Sequence, residues 1–505
     1  MSQERFDELR RRLAEVSDLG KTMALLSWDQ QVMMPPKGAE LRAEQLATVG
    51  RIAHERFTAP EVGRLLEELS GWAERHDYDS LEASLVRVVS QDWDKARRVP
   101  SELRAALTRE GALSHQVWVD ARSRSDYTAF LPALRKNLDL VKRYVECFDV
   151  GEEPYDILLD DYERGMKTTE VRVIFDYLKA HQAPLVQEVA ARNGADRSGP
   201  RTFPLELQRR FELEVVRRFG FDDACWRLDP TVHPFASGTG VGDIRITTRY
   251  AEHNLESLFA TMHEFGHGLY EHQVDPALER TPLARGTSLG MHESQSRMWE
   301  NLVGRSRPFW HHFFPRLQET FPDALAGYDA DRWYREVNAV EPSLIRVDSD
   351  EATYNLHIIL RFELEQELLA GAVSLEQLPD EWNRRMWEYL RVEVPDDAHG
   401  VLQDVHWAGG AIGYFPTYAL GNLISAQIWD RLRADIPTLD DEIAAGEFES
   451  LRDWLRTHMH RFGRKVSPPE LLERVAGTPT IDPAPYVRYL RGKLSGIYGI
   501  APEAS

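Results

Sequence analysis

The segment His263-Glu264-Phe265-Gly266-His267 places two histidines four positions apart with a glutamate directly after the first. On a helix both imidazoles lie one turn apart on a single face and reach one Zn²⁺, with the intervening carboxylate beside the water that the ion activates. Leu255, Leu258, Phe259 and Met262 form an apolar face just upstream. That face predicts a buried helix whose polar residues need partners, which fits a pair of exposed surface histidines poorly.

A catalytic zinc takes three protein ligands and keeps a fourth position open. The predicted third ligand is Glu293 in Met291-His292-Glu293-Ser294-Gln295. The loop Ala284 to Gly290 lets the chain return, and Ser288 is placed to cap the helix that presents Glu293. His292 is the rival ligand, but it points about 100° away around that helix. With two histidines and one carboxylate holding the ion, Glu264 is the candidate general base, and the implied chemistry is attack of water on a carbonyl: peptide or amide hydrolysis.

Amide hydrolysis also needs donors for the tetrahedral oxyanion. The stretch Val405 to Trp429 contains no Asp, Glu, Lys or Arg, and it offers His406, Tyr414 and Tyr418 as neutral donors, each tyrosine having core packing as its alternative. Arg346 interrupts the aliphatic run Leu344-Ile345-Arg346-Val347. It is either a partly buried ion-pair residue or a clamp for a substrate carboxylate, and Arg245 poses the same choice.

Helices must position these groups. Apolar residues return at spacings of three and four from Phe6 to about Asp149, as in Leu103, Ala106 and Leu107 or Leu134, Leu138 and Val141. Breaks are predicted at Pro35-Pro36-Lys37-Gly38, Thr58-Ala59-Pro60 and Arg98-Val99-Pro100. The helical pattern resumes after Gly151, 194–204 reads as an exposed connection, and the chain ends in a loose tail. Between His233 and Tyr250 a glycine-rich loop leads into one strand, with Ile244 and Ile246 on one face and Asp243, Arg245 and Thr247 on the other. No fixed-period repeat and no glycine-rich nucleotide fingerprint are present.

Composition narrows the partners. The 505 residues include 61 basic and 82 acidic ones, for a formal charge of -21. Nucleic acid and an anionic bilayer are disfavoured as partners, because both are bound through basic surfaces. The 405–429 stretch is interrupted by His406, Pro416, Asn422, Gln427 and glycines, and so reads as buried rather than membrane-spanning. Two cysteines, Cys147 and Cys225, give no disulfide framework and suit a reducing interior, and the charged amino terminus resembles no secretory signal.

Five motifs in order carry a resemblance: His233-Pro234-Phe235, Asp243-Ile244-Arg245-Ile246-Thr247, His263 to His267, His292-Glu293-Ser294-Gln295, and Gly400-Val401-Leu402-Gln403-Asp404-Val405-His406-Trp407. Trp28-Asp29-Gln30 and Gly413-Tyr414-Phe415-Pro416-Thr417-Tyr418 extend it over nearly the whole chain. The sequence resembles the Taq-type zinc metallocarboxypeptidases, related in fold to neurolysin and angiotensin-converting enzyme. The resemblance implies a mainly α, zincin-like single domain over 1–505 with a deep groove and a small β-sheet near the active site. Its helical amino-terminal region covers about 1–150 and its catalytic motifs about 233–418.

Carried over by position, His263, His267 and Glu293 match the ligands, Glu264 the base, and His406 with Tyr418 the oxyanion donors. Arg346, and after it Arg245, match a carboxylate-binding role, and the strand of Arg245 matches an edge strand that pairs with substrate backbone. The family also implies removal of single residues from a free carboxyl end, broad side-chain tolerance, reluctance toward proline, a cytoplasmic homodimer, and zinc replaceable by Co²⁺. Three other readings compete. An endo-acting oligopeptidase would use the same metal, an aminopeptidase would need an acidic anchor, and a scaffold with structural zinc would need a closed four-ligand shell.

Overall fold

Proline sets the first boundaries. Helices Ser2–Val32, Ala39–Phe57, Pro60–Ala73, Leu81–Arg98 and Ser101–Ser123 are interrupted at Pro35-Pro36, before Pro60 and at Pro100, where the sequence predicts breaks. Pro60 opens its helix at a position whose N–H would have no intrahelical acceptor, so the ring costs no hydrogen bond there. The computed structural model describes residues 2–148, 153–192 and 201–501. The break at Gly151, most of the connection at 194–204 and the last four residues of the predicted tail lie outside the described residues.

The chain forms two compact units, each assembled from three segments. The first comprises Met1–Arg97, Arg197–Val337 and Ile428–Thr480, and the second Arg98–Asp196, Asn338–Gln427 and Ile481–Ser505.

In the first unit a three-stranded sheet is built from β1 (Trp226–Pro230), β2 (Ala236–Gly240) and β3 (Asp243–Thr248) in the order β1-β3-β2. β1 runs parallel to β3, with Arg227 opposite Arg245, and β2 runs antiparallel, with Gly238 opposite Ile244. Ile244 and Ile246 are buried, as the alternation predicts. Thr247 is buried too, because its hydroxyl serves the backbone of Phe235 in both directions, at 2.8 and 2.9 Å. The sheet order corrects one expectation. β3 is the central strand, so its backbone groups are already taken and it is not the edge that pairs with a peptide. The sequence also leaves β1 and β2 unread: β1 is short and ends in proline, and β2 is Ala-Ser-Gly-Thr-Gly, with almost no side chains to alternate.

The sheet supports the helix Glu256–His272, which carries both histidines of the metal motif. Phe265 stacks on Trp226 with ring centroids 5.2 Å apart. Gly268 lets the helix approach so closely that a Cβ there would sit 2.6 Å from the Trp226 ring and 2.8 Å from Ile244. Deeper in the unit, Ser257 and Thr261 of this helix donate to the buried Glu212 at 2.5 and 2.9 Å, which ties the helix to its neighbour Leu205–Phe219. Trp28, from the first helix, lies under the guanidiniums of both Arg227 and Arg245, at 4.6 and 4.4 Å.

In the second unit the helix Tyr354–Ala370 is buried along most of its length, Arg361 and Glu365 included. Glu365 accepts from Tyr155 Oη (2.6 Å), Trp407 Nε1 (2.8 Å) and the Gly413 amide (3.0 Å), and Asn137 donates to the carbonyls of Trp407 and Ala408. These bonds fasten the segment that carries His406. The charge-free stretch therefore begins as a tethered loop with a short turn at His406–Gly409 and continues as the largely buried helix Pro416–Asp435. Among the described residues no helix is long and apolar enough to cross a membrane.

Candidate metal centre

Burial of the helix Glu256–His272 leaves its polar face toward a second helix, Leu289–Arg297. Ser288 caps the latter by accepting from the Met291 amide at 3.2 Å, as the sequence predicts. The two helices meet at Gly266, where a Cβ would lie 2.4 Å from the Gln295 carbonyl oxygen and 2.6 Å from Ser296 Cα. Both obstacles are backbone, so a side chain there must push the helices apart. Gly266→Ala is expected to cost about 1–3 kcal/mol of stability and to weaken metal retention in the protein that still folds. Urea titration and metal analysis check this, and unchanged values for both would show that the approach is not needed.

At this contact Glu293 Oε2 lies 3.7 Å from His263 Nε2 and 3.5 Å from His267 Nε2. The three donor atoms fall within 4.8 Å of one another and make up a set able to hold a metal ion. The other face of each ring is anchored. His263 Nδ1 faces Glu300 Oε2 at 2.8 Å, and His267 Nδ1 faces His292 Nδ1 at 3.0 Å. His292 is engaged there and by Glu271, at 2.6 Å from its Nε2, and stands outside the donor set. Arg297 donates to both Glu293 (2.7 Å) and Glu300 (3.1 Å), holding the two carboxylates on one side of the helix.

The electrostatics suit a cation. Burial would raise the Glu293 carboxyl, but the charges of Arg297 and His263 outweigh it and hold it well below the ordinary range. Desolvation would raise Glu300 too, but Arg297 and its bond to His263 hold it down to about 2. Burial pushes Glu264 up to about 7, opposed by His263 and reinforced by the charges of Glu293 and Glu300. It brings His267 down to about 4, leaving that imidazole neutral with a lone pair to give. Two borderline nitrogens and one hard oxygen form a donor set that fits zinc.

The remaining residues singled out by the sequence form clusters of their own. Arg245, in the first unit, forms a fork with Asp243 (Nε to Oδ1 and Nη2 to Oδ2, both 2.8 Å). In the second unit Arg346 is buried, donating to Asp404 Oδ1 from Nε (3.0 Å) and Nη2 (2.8 Å) and to Tyr354 Oη from Nη1 (2.9 Å). Arg361 shares the same carboxylate through Nε at 2.7 Å. Two guanidiniums thus face one carboxylate, and Asp404 is held well below the usual range by both of them against the effect of burial. His406 and Tyr418 come together in this unit, Nε2 to Oη at 3.3 Å, with Arg346 5.1 Å from the Tyr418 ring. Tyr414 packs its ring against Tyr162 and Tyr418.

A family model, the carboxypeptidase Taq (M32) metallopeptidases, matches residues 8–494. The chain belongs to this family. Thermostable carboxypeptidase 1 of Thermus thermophilus is 42% identical over 504 residues, covering 97% of this chain and 98% of the relative. The protein of the same name from Pyrococcus furiosus is 37% identical over 480 residues, with 94% and 95% covered. The crystal structure of an M32 carboxypeptidase from Deinococcus radiodurans superimposes with a TM-score of 0.95 at 40% identity, covering 98% of this chain and 100% of that one. This M32 chain is accordingly a metallocarboxypeptidase acting on peptides, and its mainly helical fold with a small sheet is that of its relatives.

Four residues of these clusters escape the reading of the sequence: Arg297, Glu300 and Glu271 beside the metal-binding donors, and Arg361 beside Asp404. A signal for the first two exists, since Glu293, Arg297 and Glu300 follow one another at four and three positions on one helical face. It is blurred because the helix loosens into a π turn over Met298–Val303, which changes where Glu300 points.

Proposed function

We propose that the enzyme holds one Zn²⁺ through His263 Nε2, His267 Nε2 and Glu293, and releases single residues from the free carboxyl end of peptides. The observation that carries this reading is the convergence of those three donor atoms, each backed by its own hydrogen-bond partner, with Glu264 between the two histidines on the same helix. Bound zinc supplies Lewis acidity at the scissile carbonyl and lowers the pKa of water. Glu264 takes the water proton and passes it to the departing amine. His406 and Tyr418 donate to the oxyanion, supported by their mutual bond and by the anchoring of their segment through Glu365.

Recognition of the terminal carboxylate falls to Arg346, with Arg245 second. Arg346 and Arg361 leave one positive charge in excess over Asp404, whereas Arg245 is neutralised by Asp243. The single family match over 8–494 supports treating the whole chain as one catalytic domain. Broad side-chain tolerance, poor action on proline, replacement of zinc by Co²⁺, a cytoplasmic location and a homodimeric state belong to the same proposal, on the strength of family membership.

The test offers one peptide with a free and with an amidated carboxyl end and identifies products by mass. Single carboxy-terminal residues should be released from the free form, and amidation should suppress the reaction. Equal rates, or a first cut several residues inside the chain, would favour an endo-acting oligopeptidase.

Tyr418→Phe is expected to remove about 2–4 kcal/mol of transition-state stabilisation, or about 30- to 1,000-fold in kcat, with substrate affinity little changed. Steady-state kinetics together with binding of a peptide to metal-free enzyme separate the two effects. A loss confined to binding would assign Tyr418 to packing and leave Tyr414 as the donor.

A further inference from the structure

Two histidine nitrogens that face each other at 3.0 Å, as Nδ1 of His267 and Nδ1 of His292 do, form a hydrogen bond only if one carries a proton and the other a lone pair. The direction follows from the rest of the geometry. His267 turns Nε2 toward Glu293 at 3.5 Å, so as a ligand it gives the Nε2 lone pair to the metal and keeps its proton on Nδ1. His292 is then the acceptor at Nδ1 and carries its own proton on Nε2. That proton points at Glu271 Oε1, 2.6 Å away, which also accepts from the Gly286 amide at 2.9 Å.

We propose that His292 and Glu271 are positioning residues of the metal centre, forming a relay that holds His267 in the tautomer and ring orientation that presents Nε2 to the ion. His263 meets a carboxylate directly, through Glu300. His267 meets one at the far side of a second imidazole. The chain is built to admit that extra ring: a Cβ at Gly286 would sit 2.6 Å from His292 Cδ2 and 2.8 Å from the Tyr270 ring, so only glycine leaves room. Tyr270 covers the relay with its ring centroid 5.1 Å from that of His292. The adjacency of His292 to Glu293 in the sequence thus has a physical reason, since one helix turn delivers a ligand to the ion and, beside it, the residue that orients another ligand. Outer partners of this kind fix the ring and raise ligand basicity, and their loss typically costs about 10–100-fold in metal affinity.

This role rests on His267 being a ligand, and the experiment separates the two claims. Metal-free protein is titrated with zinc against a chromophoric chelator for the wild type, H292A, H292N, E271Q and H267A, with circular dichroism melts to confirm folding. H292A should bind zinc about 10–100-fold more weakly. H292N, whose side-chain oxygen falls near the place of Nδ1, should regain most of that loss. E271Q should show a smaller loss, about threefold to tenfold. The visible spectrum of the Co²⁺-loaded protein should change in H292A and return toward wild type in H292N.

A folded H292A with zinc affinity within about twofold of the wild type overturns the relay, as does an H292N no better than H292A. If H292A does not fold, H292N and E271Q decide, and wild-type affinity in E271Q overturns the role of Glu271. Loss of affinity in H267A but not in H292A rejects the relay alone, whereas wild-type affinity in H267A rejects the ligand set and the relay with it.

Discussion

Glu264→Gln is expected to leave metal content near that of the wild type while kcat falls by about 10²-fold or more. Glu264 lies on the same helix as His263 and His267 but outside the donor set formed by those two residues and Glu293, so its removal takes away no ligand. Gln keeps the volume and the hydrogen-bonding oxygen but cannot take a proton. Glu264 itself is buried, about 6% exposed, so bulk water and buffer are poor substitutes for the missing base. The measurement is kcat on a free-carboxyl peptide alongside metal analysis of the same preparation, with mass spectrometry to exclude deamidated protein. Near-normal kcat with full metal would remove Glu264 from the reaction, and loss of the metal would make it a ligand instead.

What the sequence disclosed of this site is what depends on short-range geometry. The spacing of His263 and His267 is meaningful because an α-helix returns to the same face after one turn, and Ser288 caps the helix of Glu293 because the bond it makes is three residues long. The helix boundaries at Pro35-Pro36, Pro60 and Pro100 are legible for the same reason. Arg361 is the counterexample. A charged residue inside a helix reads as solvated, yet this one is wholly buried because its partner Asp404 is supplied by a segment 43 positions away. The position of β3 between two partners was hidden likewise: the alternation of Ile244 and Ile246 names its buried face but not its neighbours, and β2 carries almost no side-chain pattern. Arg346 illustrates how far composition goes. An arginine among aliphatics reads as either an ion-pair residue or a clamp for a substrate carboxylate, and only the fold supplies its partners Asp404 and Tyr354.

Glu293→Ala is expected to abolish turnover and to weaken zinc retention by more than the roughly 100-fold that loss of an outer hydrogen-bond partner costs, because it removes one of three ligands rather than a support. The fold should survive. Arg297, which donates to Glu293, also donates to Glu300 at 3.1 Å, so the substitution leaves that half-buried guanidinium with a carboxylate and costs about 1–3 kcal/mol rather than stranding a charge. His263 likewise keeps its bond to Glu300, and His267 its contact with His292, so both rings remain aimed at an ion they can no longer hold firmly. A readout independent of activity follows from linkage: a ligand that binds only the folded state raises its stability in proportion to the logarithm of its concentration over Kd. Zinc should therefore raise the Tm of metal-free wild type and of Glu264→Gln by similar amounts and that of Glu293→Ala far less. Equal shifts in all three proteins would show that Glu293 is not a ligand. The carboxylate would then serve only to hold Arg297, and the third donor would have to come from another residue at the contact of the two helices.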